Sequence, residues 1–320
     1  MKIYFWGTRG SLPTAAAGHR IKAKIFRALK ASRSQDLADD AAIQAFMANL
    51  PFAVREGYGG NTACVEIRGQ NDYVLCDAGT GLRDFGHSFM RTARGGRDAS
   101  PAIFHLFLSH PHWDHIQGFP FFTPAYLPGH QVRIYGCHPA LEQAFSVQQS
   151  PPFFPVPLKA MSADISFHIL EPGRVYDIAG LRVTGIRQNH PGDSYGYRFV
   201  RDTKKVVYSS DAEHKEDAER KDYAFLEFFK EADLLIFDAQ YSLHDAIDTK
   251  ENWGHSSNIL GVELAVRAGV RRLCLFHSEH TYGDEDLDVF LTDAREYLKI
   301  YNESSPLEIH LAYDGLEMDV

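Results

Sequence analysis

The sequence predicts an α/β protein built on mixed β-sheets. Short strand-like apolar segments recur along the whole chain, amphipathic helical stretches are interleaved with them, and several long connections are not helical crossovers. The proline-rich stretch 149–158 is one such connection. Together with a middle third made mostly of strands, it favours mixed over purely parallel sheets.

The elements follow in chain order. Met1 to Gly7 offers only a short apolar run, far below a secretory core or a membrane span, and reads as a first strand. Between residues 18 and 50, Ile21, Ile25 and Leu29 recur at four-residue spacing with basic residues on other faces. That pattern predicts an amphipathic helix with a second helix behind it, as an insertion that is either a lid or only structural. Strands are expected at 63–68, 73–76, 103–109, 132–135, 181–186, 206–209, 234–238 and 273–276, and helices near 21–31, 40–50, 222–231, 259–268 and 286–301. Neither repeats nor low-complexity linkers interrupt the chain, so one domain over 1–320 is expected.

Composition narrows the function classes. With 44% hydrophobic and 23% charged residues, the 320-residue chain has the balance of an ordinary globular enzyme. A net charge of -9 argues against a coat for nucleic acid, so neither a stable nucleic-acid complex nor a membrane association is expected. The charge is uneven: Met1 to Gln35 holds no acidic residue but carries Lys2, Arg9, Arg20, Lys22, Lys24, Arg27, Lys30 and Arg33. A local anion-attracting surface is expected there. Cys64, Cys76, Cys137 and Cys274 lie far apart without a C-x-x-C pair, which reads as buried thiols in a reducing cytoplasm.

The strongest signal is His110-Pro111-His112-Trp113-Asp114-His115, just beyond an apolar strand. Four donors in six positions, all imidazole or carboxylate, suit zinc and similar divalent ions. Asp211 and His277 also end apolar strands, where a polar side chain can leave the core for a cleft; His190 follows a less apolar one.

This hexapeptide resembles the HxHxDH signature of the metallo-β-lactamase superfamily. The resemblance implies an αββα sandwich of two mixed β-sheets flanked by helices, holding two divalent metal ions, Zn2+ first with Mn2+ or Fe as alternatives. By it, His110, His112 and His190 hold one metal, Asp114, His115 and His277 the other, and Asp211 bridges them. The superfamily's oxygen-reducing di-iron proteins carry a carboxylate where His112 stands, so hydrolysis by a metal-bridging hydroxide fits better.

Glycine-rich turns at Phe5-Trp6-Gly7-Thr8-Arg9-Gly10-Ser11, Gly59-Gly60-Asn61-Thr62 and Asp77-Ala78-Gly79-Thr80-Gly81 look like the branch containing tRNase Z and the cyclic-phosphate phosphodiesterases of phosphonate breakdown. In that branch Asp77 orients a metal-binding histidine. His255, in Gly254-His255-Ser256-Ser257, resembles the general acid for the leaving oxygen, with Asp238 as its carboxylate partner and Asp114 a further catalytic carboxylate. Arg9, Asn61 and His280 are candidate substrate contacts. No glycine- and lysine-rich arm for gripping tRNA is evident, and the chain is acidic. The expected substrate is therefore a small phosphodiester such as a cyclic nucleotide. An acyl hydrolase acting on a lactone, thioester or β-lactam, and a non-catalytic accessory of the same fold, are the alternatives. A homodimer is compatible with the branch.

Overall fold

A computed structural model of the chain describes residues 1–92, 101–248, 250 and 252–320. Its strands are β1 (Lys2–Gly7), β2 (Cys64–Arg68), β3 (Tyr73–Cys76), β4 (Ile103–Phe107), β5 (Gln131–Gly136), β6 (Asp164–Ile169), β7 (Val175–Ile178), β8 (Leu181–Gln188), β9 (Ser194–Arg201), β10 (Lys204–Ser209), β11 (Leu234–Asp238), β12 (Arg272–Phe276), β13 (Glu308–Leu311) and β14 (Glu317–Asp319). The helices that matter below are α1 (Gly18–Ala31), α2 (Asp40–Ala48), α3 (Gly81–Arg91), α4 (Trp113–Ile116), α5 (Ala224–Phe229), α6 (Leu243–Asp248), α7 (Asn258–Arg267) and α8 (Asp284–Asn302).

Seven strands form each of two sheets, in the orders β14-β1-β2-β3-β4-β5-β6 and β13-β12-β11-β10-β9-β8-β7. Both sheets are mixed. β3 to β6 run parallel, as do β10 to β13, while β1 to β3 and β7 to β10 pair antiparallel.

Strand periodicity explains the layering. Along β11, Leu234 and Ile236 join Phe5, Phe107, Tyr197 and Phe276 in a core between the sheets. Leu235 and Phe237 point the other way, onto Phe225, Phe229, Val262 and Phe290 of α5, α7 and α8. Both faces are covered, which is why β11 and β12 read as unbroken apolar runs. The other sheet packs outward on Leu82, Phe85 and Phe89 of α3. The result is the expected αββα arrangement.

Sequence periodicity missed α3, whose start reads as a glycine-rich turn. Gly81 is required there because a Cβ would lie 2.6 Å from the carbonyl carbon of Trp6. The 222–231 helix shrinks to α5, and the 103–109 strand ends at Phe107 as the chain turns toward the motif.

The 18–50 segment is helical, as expected, but α1 is mounted by its basic side. Lys24 pairs with Asp284 at 2.5 Å, and Arg27 makes a two-pronged contact with Glu285 in the acidic first turn of α8. The expected open basic surface is therefore partly neutralised, while Ile21, Ile25, Phe26 and Leu29 are 46–64% exposed. All four cysteines are buried and free. No helix among the described residues is long and apolar enough to cross a membrane.

Candidate metal centre and active site

The candidate residues gather where one edge of the sandwich presents its strand ends. Asp77 follows β3, Ser109 to His115 follow β4, His190 follows β8, Asp211 follows β10, Asp238 ends β11 and His277 follows β12. Three of them sit in left-handed backbone: Asp77 at φ 60°, Asp211 at 58° and His277 at 63°. Such conformations cost a non-glycine residue free energy and cluster at functional sites, where the surroundings fix them. Here they swing side chains from strand tips into one cleft. Gly10 allows close approach, since a Cβ there would lie 2.7 Å from His277 Nδ1.

Four overlapping donor groups result among the described residues, two of them sharing His255 with His190 and Asp211 or with Asp238 and His277; the other two are built from the expected donors. The ligating atoms of His110, His112 and His190 lie within 4.8 Å of one another, as do those of Asp114, His115, Asp211 and His277. Asp211 faces both. Its Oδ1 is 3.7 Å from His110 Nε2 and 3.9 Å from His190 Nε2, while Oδ2 is 3.2 Å from His115 Nε2 and 3.5 Å from His277 Nε2. One carboxylate thus spans the two groups, oxygen by oxygen.

The donor chemistry fits divalent cations. Asp77, Asp114, Asp211 and Asp238 are all buried, and none has a lysine or arginine partner among the described residues. Buried carboxyl groups so crowded need positive charge close by. His110 Nε2 is buried without a hydrogen-bond partner. Burial, and then the neighbouring His115, hold His110 well below the usual imidazole range, and burial with His190 pushes His112 down to about 4. Burial likewise lowers His190. Imidazoles held unprotonated at neutral pH are in their metal-binding form. Burial works against the charges of Asp114 and Asp211, yet His115 and His277 outweigh it and hold both below the usual carboxylate range.

Outer contacts aim these donors. Asp77 Oδ2 lies 2.7 Å from His115 Nδ1 and accepts from the Tyr208 hydroxyl at 2.6 Å, while Oδ1 accepts the Ser109 N–H at 2.7 Å. His115 is thereby left with Nε2 facing the cleft. His190 Nδ1 meets the Gly254 carbonyl at 2.8 Å. That contact needs glycine, because a Cβ on Gly254 would stand 2.4 Å from the ring. The Ser11 N–H donates to Asp114 Oδ2 at 2.8 Å.

His255 stands beside the donors, its ring stacked on His277 at 5.2 Å and its Nδ1 3.0 Å from Asp238 Oδ2. Asp238 is held in turn by the Ala212 N–H at 2.9 Å. Burial opposes protonation of His255, but Asp238 and then Asp211 outweigh it and raise its pKa. The Asp238 contact occupies Nδ1 and leaves Nε2 as the other ring nitrogen. Ser257 caps α7 by accepting the Leu260 N–H.

The three expected substrate contacts fare differently. Arg9 is 2% exposed, and its guanidinium donates to the carbonyls of Gly59, Glu279 and Tyr282. It ties loops together rather than facing the cleft. Asn61 donates to the Trp6 carbonyl and to Asp84, and His280 Nδ1 lies 2.8 Å from Glu279. Sequence reasoning missed Ser109, Tyr208 and Ser11. Ser109 had a signal in its position beside the motif, whereas Tyr208 looks like any apolar strand residue.

A family model described as "Beta-lactamase superfamily domain" matches residues 72–278. Ribonuclease Z of Haloarcula marismortui is 23% identical over 310 residues, covering 81% of this chain and 91% of that protein. Ribonuclease Z of Brevibacillus brevis is 38% identical over 90 residues, but that match covers 28% of this chain and 26% of the relative. Among solved structures, the metallo-beta-lactamase fold protein YhfI from Bacillus subtilis superposes with a TM-score of 0.64 at 18% identity, covering 99% of this chain and 98% of that one.

Proposed function

Because the chain belongs to the beta-lactamase superfamily, we propose that this metal-dependent hydrolase cleaves a small phosphodiester, such as a cyclic nucleotide, at a centre of two divalent ions. The observation that carries the reading is the His255–Asp238 pair beside the two donor groups. Acyl transfer through a good leaving group has little use for a dedicated acid, whereas expelling an alkoxide from phosphorus requires a proton at the departing oxygen.

In this reading His110, His112 and His190 hold one ion, Asp114, His115 and His277 the other, and Asp211 both, with zinc the first candidate and manganese or iron the alternatives. Bound there, the two ions supply Lewis acidity that ionises water near neutral pH and offsets charge growing on the phosphoryl oxygens. The chain's own residues do the rest. Asp77 fixes the His115 tautomer, Asp238 orients His255, and His255 Nε2 gives its proton to the leaving oxygen. Four buried free thiols support a reducing, cytoplasmic setting.

A small substrate is favoured over a large RNA because the net charge is -9 and part of the basic N-terminal stretch is paired with the acidic start of α8. The relatives named ribonuclease Z favour the second reading, a nuclease. The test is a panel of a cyclic nucleotide, a structured RNA, a phosphodiester chromogen, a lactone and a thioester, assayed with added zinc and with added manganese. Turnover of the cyclic nucleotide is expected. Turnover of the acyl compounds alone refutes phosphodiester chemistry, and turnover of RNA alone refutes the small-substrate reading.

A further inference from the structure

Among the described residues four strands end the two sheets, and β6 is the longest of them, with six residues against four in β7 and β13 and three in β14. An edge strand offers unpaired N–H and C=O groups, and proteins blunt such edges with proline, lysine or a bulge. The β6 sequence Asp164-Ile165-Ser166-Phe167-His168-Ile169 has neither proline nor lysine, and it pairs with β5 in unbroken register. Asp164, His168 and Ile169 are exposed, Ile169 at 51%. We propose that this edge is an interface between two copies of the chain, which pair antiparallel through β6 about a two-fold axis at Ser166.

The backbone limits the register. The N–H groups of Asp164 and Leu170 donate to the carbonyls of His130 and Gly136, on the β5 side. Backbone groups alternate sides along a strand, so the even-numbered residues serve β5 while Ile165, Phe167 and Ile169 turn their N–H and C=O outward. In an antiparallel pair the bonded residues exchange both hydrogen bonds, so an odd-numbered residue of one copy must meet an odd-numbered residue of the other. An axis at Ser166 satisfies this by setting Ile165 opposite Phe167 on each side of it.

Side chains choose among the registers the backbone allows. With the axis at Ser166, Asp164 stands opposite His168 on each side of it, a carboxylate facing an imidazole in the closer, non-hydrogen-bonded kind of pair. Sliding the second copy by two residues sets Asp164 against Ser166 or Leu170 and leaves His168 without a carboxylate. The His168 ring is held in place, stacked on Tyr135 at 5.0 Å with Nε2 3.0 Å from Ser166 Oγ. On the other face Ile165 and Phe167 already pack on the outer core, Phe167 meeting Phe145 at 5.6 Å, and their cross-strand contact continues that apolar surface into the second copy. The metal donors follow β4, β8, β10 and β12, so pairing at β6 uses none of them. A strand pair this short buries less than a standard interface, so the expected dimer is a weak one.

The test is sedimentation equilibrium of the full-length chain over a concentration range of about 1 to 300 μM. The wild type is expected to pass from monomer to dimer within it. Ile165→Pro removes an outward N–H that β5 does not use, a change an edge strand tolerates, and should raise the dissociation constant by about tenfold or more. His168→Asp sets carboxylate against carboxylate at both pairs and should weaken the dimer by about tenfold; adding Asp164→Lys restores opposite charges and should recover most of that loss. These two act at exposed positions and test the pairing independently of whether the proline variant folds. A wild type that stays monomeric at about 300 μM, or a folded Ile165→Pro variant that dimerises as the wild type does, overturns the interface. A double variant that dimerises no more tightly than His168→Asp overturns the pairing about Ser166.

Discussion

His214 offers a quantitative test of the aromatic packing against β11. Its ring is buried among Phe225, Phe229 and Phe237, and burial pushes its pKa down from 6.5 to about 3. The folded protein therefore refuses a proton that the unfolded chain accepts. Stability from this residue is fully present above pH 6.5 and is lost as pH falls toward the folded value, because the unfolded state binds more protons in that window. Linkage gives about 2 kcal/mol lost at pH 5 relative to pH 8 for one such histidine, with a local slope approaching about 1.4 kcal/mol per pH unit. Replacing it by phenylalanine, His214→Phe, keeps an aromatic ring in the cluster and removes the titration. The variant forfeits the Tyr223 contact, an offset that does not depend on pH in this range. Urea unfolding of both proteins at pH 8, 7, 6 and 5 isolates the effect, because every other titrating group is common to both. The wild type should lose about 2 kcal/mol more than the variant between pH 8 and pH 5. Parallel stability profiles would show that His214 takes up its proton in the folded protein as it does in the unfolded chain, and that the aromatic cluster around it is not dry.

Four further outcomes follow from named contacts. His255→Ala should keep its metals yet lose about 10²- to 10⁴-fold in kcat on an alkoxide-releasing diester, and much less on a p-nitrophenyl ester; equal losses on both would exclude a general acid. Asp77→Asn breaks the grip on His115 Nδ1, so metal affinity measured by competition with a chelator should weaken by about 10- to 100-fold, and an unchanged affinity would sink that role. Arg9→Met strands three carbonyls and should destabilise the fold by about 3 kcal/mol or more in urea, with KM of the folded enzyme unmoved; a selective rise in KM would return Arg9 to the substrate site. Ile25→Lys with Leu29→Lys, on the exposed face of α1, should shift stability by less than about 1 kcal/mol, and a larger loss would mean that this face is covered in solution.

Local patterns in the sequence account for much of the architecture. Period-two alternation and continuous apolar runs located β3, β4, β10, β11 and β12, because those strands are covered on both faces and leave dense hydrophobic signatures. The exposed edge β7, with Val175 and Asp177 in solvent, and the three-residue β14 carry too little apolar signal to be read alone. Helix α3 was hidden by Gly81 and Gly86, whose purpose is close packing on Trp6 and Phe122 rather than a turn.

The same division runs through the candidate site. The cluster from His110 to His115 is legible because its donors fall within six consecutive positions, and Asp211, Asp238 and His277 because each marks the polar end of an apolar strand. Sequence by itself determined the donor types, and hence a divalent-metal centre, since ligand chemistry belongs to the side chains. Only the tertiary structure decided where charge is used. It turned Arg9 inward onto carbonyls and mounted α1 on its basic side against Asp284 and Glu285, because a carbonyl or carboxylate attracts whichever cation the fold brings within reach, whatever its distance along the chain. It also built the aromatic cluster around His214, from segments that carry no shared signal in the sequence and meet only because α5, β11 and α7 pack on one face of a sheet.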